Sequence, residues 1–317
     1  KISGTLFILD EMGKLLETFA RNSGNLHFFQ DLAEKIKQLS KQECPFVFMG
    51  ILHQSFADYA KGLNHQIALE WAKIQGRYID ISYRISLDES IALISKTIKR
   101  TELVLPDVVE EKNQELINKV QEFIGSRLLE HSPKVKEYFD NALPLHPLTS
   151  VLLGAVAKSS FSQNERSIFS FLMSAEPYSL RKFFDANISL EQKYSIVDLW
   201  DYLSHNLQHQ ILSSKEGHDW GIVEQSLTLV SKKLNEEDKT IAQAQLCFNL
   251  IKSIAMMNIF GKSLGVYPTR DLLKYSFYCN DKQGELIDKY LDILEEWKII
   301  RFLNTTNSYV VVNSSSI

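Results

Sequence analysis

No apolar run of 18 or more residues interrupts the 317-residue chain, and no basic segment followed by a short apolar one stands at its start. Neither a membrane span nor a secretory signal is therefore expected. Cysteine is scarce. Cys44, Cys247 and Cys279 are odd in number and far apart, which fits reduced thiols in a cytoplasmic protein better than a disulfide frame. None has the spacing of a zinc site. A basic excess is missing too: 35 Lys and Arg stand against 39 Asp and Glu, a net charge of −4 with a pI near 6.1. Composition alone thus supplies no phosphate-backbone binding surface, and any DNA contact would come from a local patch or from other parts of a larger protein. Internal repeats and low-complexity tracts are also absent.

What is present is 44% hydrophobic residues, enough to bury the cores of two or three domains. "TLFIL" (5–9), "PFVFMGIL" (45–52) and "YIDISY" (78–83) are short β-rich runs, each followed by helical periodicity. Between the first two, Leu26, Phe29, Leu32, Ala33, Ile36 and Leu39 recur on one helical face. Strands alternating with helices predict a parallel α/β sheet over residues 1–86. From 87 to 236 the pattern is almost wholly helical, with a charged helix around 110–130 and a proline-marked helix start in "PLHPLTSVLLGAVAKS" (144–159). Residues 237–317 read as a long helix, a short one, a third, then "IIRFL", a polar turn "NTTNS" and "YVVV", the outline of a winged helix. Its third helix carries Glu285, Asp288, Asp292, Glu295 and Glu296 against Lys282 and Lys289. A net acidic helix suits packing or protein contact better than a phosphate-lined groove. Ile287, Leu291, Leu294 and Trp297 form its core stripe.

The first strand ends in Asp10 and Glu11. Burying an ionised carboxylate costs several kcal/mol unless it is paired, so the two acids call for a partner. Phosphate chemistry with a metal supplies one. Asp10 would hold Mg²⁺ through water, and Glu11 would orient and polarise the water that attacks a γ-phosphate of ATP. The second strand leads into His53 and Gln54, placed where a γ-phosphate sensor would sit. Arg77 precedes the third run, and Arg166 stands near a helix start in "SSFSQNERSIFSFL". A planar, permanently charged guanidinium binds phosphate oxygens bidentately.

In this order the segments resemble the AAA+ P-loop ATPases of the origin-recognition-like and STAND-like branch. "LDEMGKLLE", "ILHQSF" and "PLHPL…QNERSIFSFL" are similar to segments of the large ATPases of bacterial phage-defence clusters such as BREX. The resemblance implies an α/β plus α fold: a partial AAA+ sheet (1–86), a helical lid (87–236) and a C-terminal winged helix (237–317). It implies that Asp10 and Glu11 are the Walker B pair and that His53, with Gln54 beside it, is sensor 1. Arg77 would be an arginine finger acting on a neighbouring subunit's nucleotide, and Arg166 the sensor-2 arginine of the lid. ATP, Mg²⁺, a homo-oligomer and protein partners follow as its cofactors and partners.

One departure stands against it. No G-x-x-x-x-G-K-[ST] loop occurs; "FGKSLG" (260–265) has Met256 where the first glycine belongs and sits at a helix end. The phosphate-cradling loop is expected upstream of Lys1, and without it this segment alone should not hydrolyse ATP and should expose unpaired strand edges. The competing readings are a non-enzymatic assembly module with a degenerate α/β part, and a transcriptional regulator. His205 and His209, four apart on an expected helix, read as a surface pair, and Met256, Met257 and Phe260 as core.

Overall fold

In the computed structural model, residues 4–21, 27–39, 45–52, 65–81, 86–98, 106–124, 134–159, 161, 170–186, 191–236, 240–277 and 281–312 are described. The chain forms two compact units, residues 1–84 and 85–317.

In the first unit, strands β1 (Thr5–Leu9) and β2 (Phe46–Gly50) pair in parallel, Thr5 opposite Phe46 and Leu9 opposite Gly50. Parallel neighbours need a long crossover, and helices α1 (Met12–Arg21) and α2 (His27–Leu39) provide it; α3 (His65–Gln75) follows β2. Side chains alternate across a strand, so Leu9 and Phe48 meet the buried Met12, Leu16, Phe29, Trp71 and Ile74. Leu6, Ile8, Val47 and Met49 point the other way and remain about half exposed. Among the described residues, the helices pack against one face of the sheet.

The expected third strand does not form over its described part. Tyr78 closes a turn, its N–H donating to Gln75 O at 3.1 Å, and its hydroxyl donates to Phe29 O at 2.9 Å. Ile79 and Ile81 follow in no strand, 91% and 81% exposed; Ser82 and Tyr83 lie outside the described residues. An alternating β-branched pattern gives a strand only where an edge is within reach to satisfy its backbone.

The second unit is mostly helical, and its only sheet among the described residues is an antiparallel pair, β3 (Ile300–Leu303) with β4 (Ser308–Val311). Its early helices are α4 (Leu87–Ile98), α5 (Asp107–Ile124), α6 (Val135–Asn141), α7 (Pro147–Ala157) and α8 (Leu180–Asp185). After them come α9 (Ile196–Asn206), α10 (Gln208–Leu212), α11 (Gly217–Glu236) and α12 (Ile241–Met256). One core joins residues from both sides of position 237, Trp220 and Val230 together with Cys247, Ile254 and Tyr309. His205 and His209 do not share a helix: the chain breaks at Leu207, which caps α9 and starts α10. Among the described residues no group of three or more potential metal ligands occurs.

The proline-marked helix start is fixed by a buried histidine. His146 caps α7, its Nδ1 accepting from Leu148 N–H at 3.1 Å while its other nitrogen lies 3.1 Å from Tyr275 O. The ring is therefore neutral with the proton on Nε2. Burial pushes its pKa from 6.5 down to about 4, with Lys193 adding to the fall and the Tyr275 carbonyl opposing it. Below pH 6.5 the unfolded state takes up a proton that the folded state refuses. Stability is therefore full above 6.5 and falls as pH drops towards 4, by on the order of 3 kcal/mol from this group. Urea unfolding at pH 7.5 and 4.5 should show wild type losing more stability on acidification than His146→Asn.

Helix α12 ends in one π turn, Met257–Gly261, and a 3₁₀ turn, Lys262–Leu264, closed by Gly265 at φ 67°. Met256, Met257 and Phe260 are buried, as the sequence indicates. "FGKSLG" is thus a helix terminus. A Cβ on Gly261 would stand 2.4 Å from Val266 O, a backbone atom that cannot swing aside. Gly261→Ala should destabilise the unit by about 1–3 kcal/mol through overpacking, read as a lower melting temperature.

Helices α13 (Arg270–Ser276) and α14 (Asp281–Glu296) precede the β3–β4 pair. Ile287, Leu291 and Leu294 of the predicted stripe are buried on α14, while Trp297 lies just past the helix end and is partly buried. The ribbon gains a further tie where Tyr309 N–H donates to Pro268 O at 3.1 Å.

Candidate functional site

The paired carboxylates sit at the carboxyl end of β1. Asp10 leaves the strand in a turn and its Oδ1 accepts the Glu11 N–H at 2.8 Å. Glu11 then adopts φ 54°, the left-handed region that side chains other than glycine rarely enter. That reversal lets Met12 N–H donate to Ile51 O at 3.0 Å and starts α1, with Lys14 N–H donating to Glu11 O at 3.0 Å. Each such residue costs on the order of 1–3 kcal/mol and persists only where its surroundings impose it.

Neither carboxylate is buried, so the burial penalty that motivates the search for a partner does not arise. The strand is half bare rather than internal. Glu11 Oε2 lies 2.9 Å from Lys14 Nζ in an exposed pair, of the kind worth little in water. One Asp10 oxygen is used by the Glu11 N–H, leaving the other as a hard donor. Mg²⁺ keeps most of its waters and binds through one or two carboxylates plus substrate phosphate. The spare Asp10 oxygen is a donor of the type that ion takes, and among the described residues no group of three potential ligands accompanies it.

Arg77 lies in the turn after α3, its N–H donating to Ile74 O at 3.0 Å. Its guanidinium pairs with Glu34 of α2, both side chains partly exposed. The arginine thus has an acid within its own unit. His53 and Gln54 lie outside the described residues, directly after Ile51 and Leu52, which extend beyond β2. Arg166 also lies outside them. Lys14 and Glu34, the partners of Glu11 and Arg77, are not among the residues the sequence singles out. Lys14, three positions beyond Glu11 at a helix start, carried a readable signal; Glu34 carried none, since only the fold brings it to Arg77.

Three acids of the third helix near the C-terminus, Asp288, Asp292 and Glu295, make internal contacts. Arg270 lies 3.3 Å from Asp288 and 2.8 Å from Asp292, and Lys274 lies 2.6 Å from Asp288. Glu295 accepts the Phe302 N–H at 3.1 Å at the start of the ribbon. These acids fasten α14 to α13 and to β3. They are structural charges, and the cations of α13 are spent on them.

Comparison with protein-family models, with curated proteins and with solved structures gave no match for the chain. Among the described residues no helix is long and apolar enough to cross a membrane.

Proposed function

We propose that this chain is the Walker B to winged-helix portion of an AAA+ or STAND-like ATPase, coupling ATP binding and hydrolysis to rearrangement of an oligomer or of a bound partner. The observation that carries the reading is the pair Asp10–Glu11 at the carboxyl end of a parallel strand, beside a second strand in register with it. In open α/β sheets ligands bind outside the carboxyl ends of the strands. Asp10 would hold hydrated Mg²⁺, and Glu11, released from Lys14, would orient the attacking water. The left-handed backbone at Glu11 is the kind of imposed conformation that gathers at functional positions. His53 and Gln54 would complete the sheet edge, Arg166 would come from the helical lid, and Arg77 would exchange Glu34 for a neighbour's phosphate.

The reading requires a phosphate-cradling loop, which this sequence does not contain. Three helices followed by an antiparallel ribbon, with Val266–Thr269 tied to the ribbon's edge through Pro268, support a winged helix that works in protein contact. Phage defence is the setting the resemblance implies. The test is ATP turnover and ATP binding by the full-length protein, wild type beside Glu11→Gln.

A second reading, a non-enzymatic assembly module, is favoured by one observation: Glu11 and Arg77 already have protein partners of opposite charge, Lys14 and Glu34. It is carried if the full-length protein neither binds nor turns over ATP.

A further inference from the structure

The second unit holds a cavity of about 90 Å³ between α11, the end of α12 and β4. Its walls are Ile222 and Val223 from α11, with Ala255 and Ile259 from α12 and its π turn. A π turn in an α-helix is rare and is found often at functional positions. Two opposite charges stand at the mouth, Asp219 and Lys262, both exposed. Among the described residues neither side chain has an ionic or hydrogen-bonding partner. The strand contributes backbone groups. Along β4, Tyr309 N–H donates outward to Pro268 O, and Val312 N–H donates inward to Ile299 O at 2.9 Å. Antiparallel pairs alternate in this way, so the N–H and C=O of Val311 point away from β3. Asn258 of the π turn closes the outer edge one step earlier, its Nδ2 donating to Tyr309 O at 3.2 Å and to Ile254 O at 2.8 Å. Beyond it no described strand continues along β4, and the cavity lies there.

We propose that this cavity binds a free, small aliphatic α-amino acid, seated beside Val311 as a one-residue extension of the ribbon. The size agrees. A water-sized group takes about 10–15 Å³ of such volume, so the cavity holds roughly six to nine non-hydrogen atoms, the size of valine or leucine. The main chain of an α-amino acid repeats the donor and acceptor of a strand residue, with a full charge on each. Its carboxylate accepts from Val311 N–H and from the Lys262 ammonium. Its own ammonium donates to Val311 C=O and to the Asp219 carboxylate. Hydrogen bonds between charged groups are about twice as strong as neutral ones. The aliphatic side chain lies against Ile222, Val223, Ala255 and Ile259, walls that offer a polar side chain no partner. A plain acid or amine would leave one of the two protein charges unmatched, and an internal peptide segment would leave both. The bound ligand ties α11, the π turn and β4 to one another. The site lies wholly within the 85–317 unit and does not depend on the ATPase reading.

The test is calorimetric titration of the full chain with L-leucine and L-valine, beside isovalerate and isoamylamine, which carry one charge each. At least one of the amino acids should bind with a dissociation constant on the order of 10–500 µM. At saturation it should raise the melting temperature by roughly 2–5 °C and protect the Val311 amide from hydrogen exchange. The single-charge probes should bind about tenfold or more weakly. Asp219→Asn and Lys262→Gln should each weaken the amino acid about tenfold or more. Their ligand-free melting temperature should not move, because both side chains are exposed and unpaired. Absence of binding by both amino acids up to about 10 mM overturns the proposal. So does an affinity that neither variant changes, or binding that leaves the Val311 amide unprotected. Equal binding of the uncharged N-acetyl-leucinamide overturns it as well, since that is the mark of a groove for longer chains. ATP turnover is not among the readouts, so failure here leaves the ATPase reading standing.

Discussion

Trp200→Ala is expected to reduce the stability of the 85–317 unit by about 3–5 kcal/mol, the range for emptying a buried large aromatic. Trp200 on α9 and Trp220 on α11 are both buried, with ring centroids 3.8 Å apart and planes within 7°. The substitution removes packing for two indoles at once, because Trp220 loses the surface against which its ring lies. Stacked aromatics contribute about 0.5–1.5 kcal/mol beyond their area. Trp220 is also held at its other end, where its Nε1–H donates to Glu224 Oε1 at 3.2 Å and the Gln208 amide donates to the same oxygen at 2.8 Å. It cannot easily swing into the vacated space, so the cavity persists. Lys252 on α12 pairs with Asp201, the neighbour of Trp200, at 2.6 Å, and a disturbance at α9 therefore reaches the C-terminal helices. Set against a typical domain stability of about 5–15 kcal/mol, the loss takes the unit close to unfolding at 37 °C. Urea denaturation followed by circular dichroism measures it. Trp200→Phe, which keeps a ring, should lose less than half as much. A loss under about 1 kcal/mol for the alanine variant would mean that the cavity closes and that this stack is not a centre of the core.

The extent to which the sequence could be read follows from the range of the forces involved. Helices with a one-sided stripe came through because their signal lies within a few residues: α2, α7 and α14 stand where periodicity and the Pro147 start put them. Ile287, Leu291 and Leu294 are buried for the same reason. The first two strands and the antiparallel ribbon were also legible, since each is apolar and bounded by turn residues. The run at 78–81 has the same local signature and is no strand, because a strand is made by its neighbour and among the described residues none pairs with it. His205 and His209 show the same limit on a smaller scale: their spacing is helical, but the break at Leu207 belongs to the packing of α9 and α10. Of the site, the carboxylate pair and its place at a strand end were readable. Its exposure, the left-handed Glu11 and the ion pair of Arg77 with Glu34 were not, since they depend on a crossover of some forty residues. The acidity of α14 was legible in the sequence, but the pairing of Asp288 and Asp292 with Arg270 and Lys274 is tertiary and was not.

Glu11→Gln in the full-length protein should lower ATP turnover by about 10²–10⁴-fold, the usual contribution of a positioned general base, while leaving ATP affinity within a few-fold of wild type. Gln matches Glu in size and has no better access to φ 54°, so the backbone reversal that starts α1 should survive. The Lys14 pair is lost, but an exposed pair contributes at most about 1 kcal/mol, so unfolding should hardly move. Asp10→Asn should act differently. Removing the charge that would hold Mg²⁺ weakens metal-dependent nucleotide binding itself, so affinity falls along with turnover. Glu11→Gly separates chemistry from strain. It deletes the carboxylate and also relieves the left-handed conformation, a gain offset in part by glycine's freedom in the unfolded chain. Under the ATPase reading this variant is inactive and as stable as wild type or slightly more so, the pattern of a residue kept at the expense of stability for what it does. Under the assembly-module reading Glu11→Gln changes nothing measurable, and Glu11→Gly improves the protein with no loss. If all three variants turn over ATP like wild type, hydrolysis does not run through this strand end, and Asp10 and Glu11 serve only to turn the chain from β1 into α1.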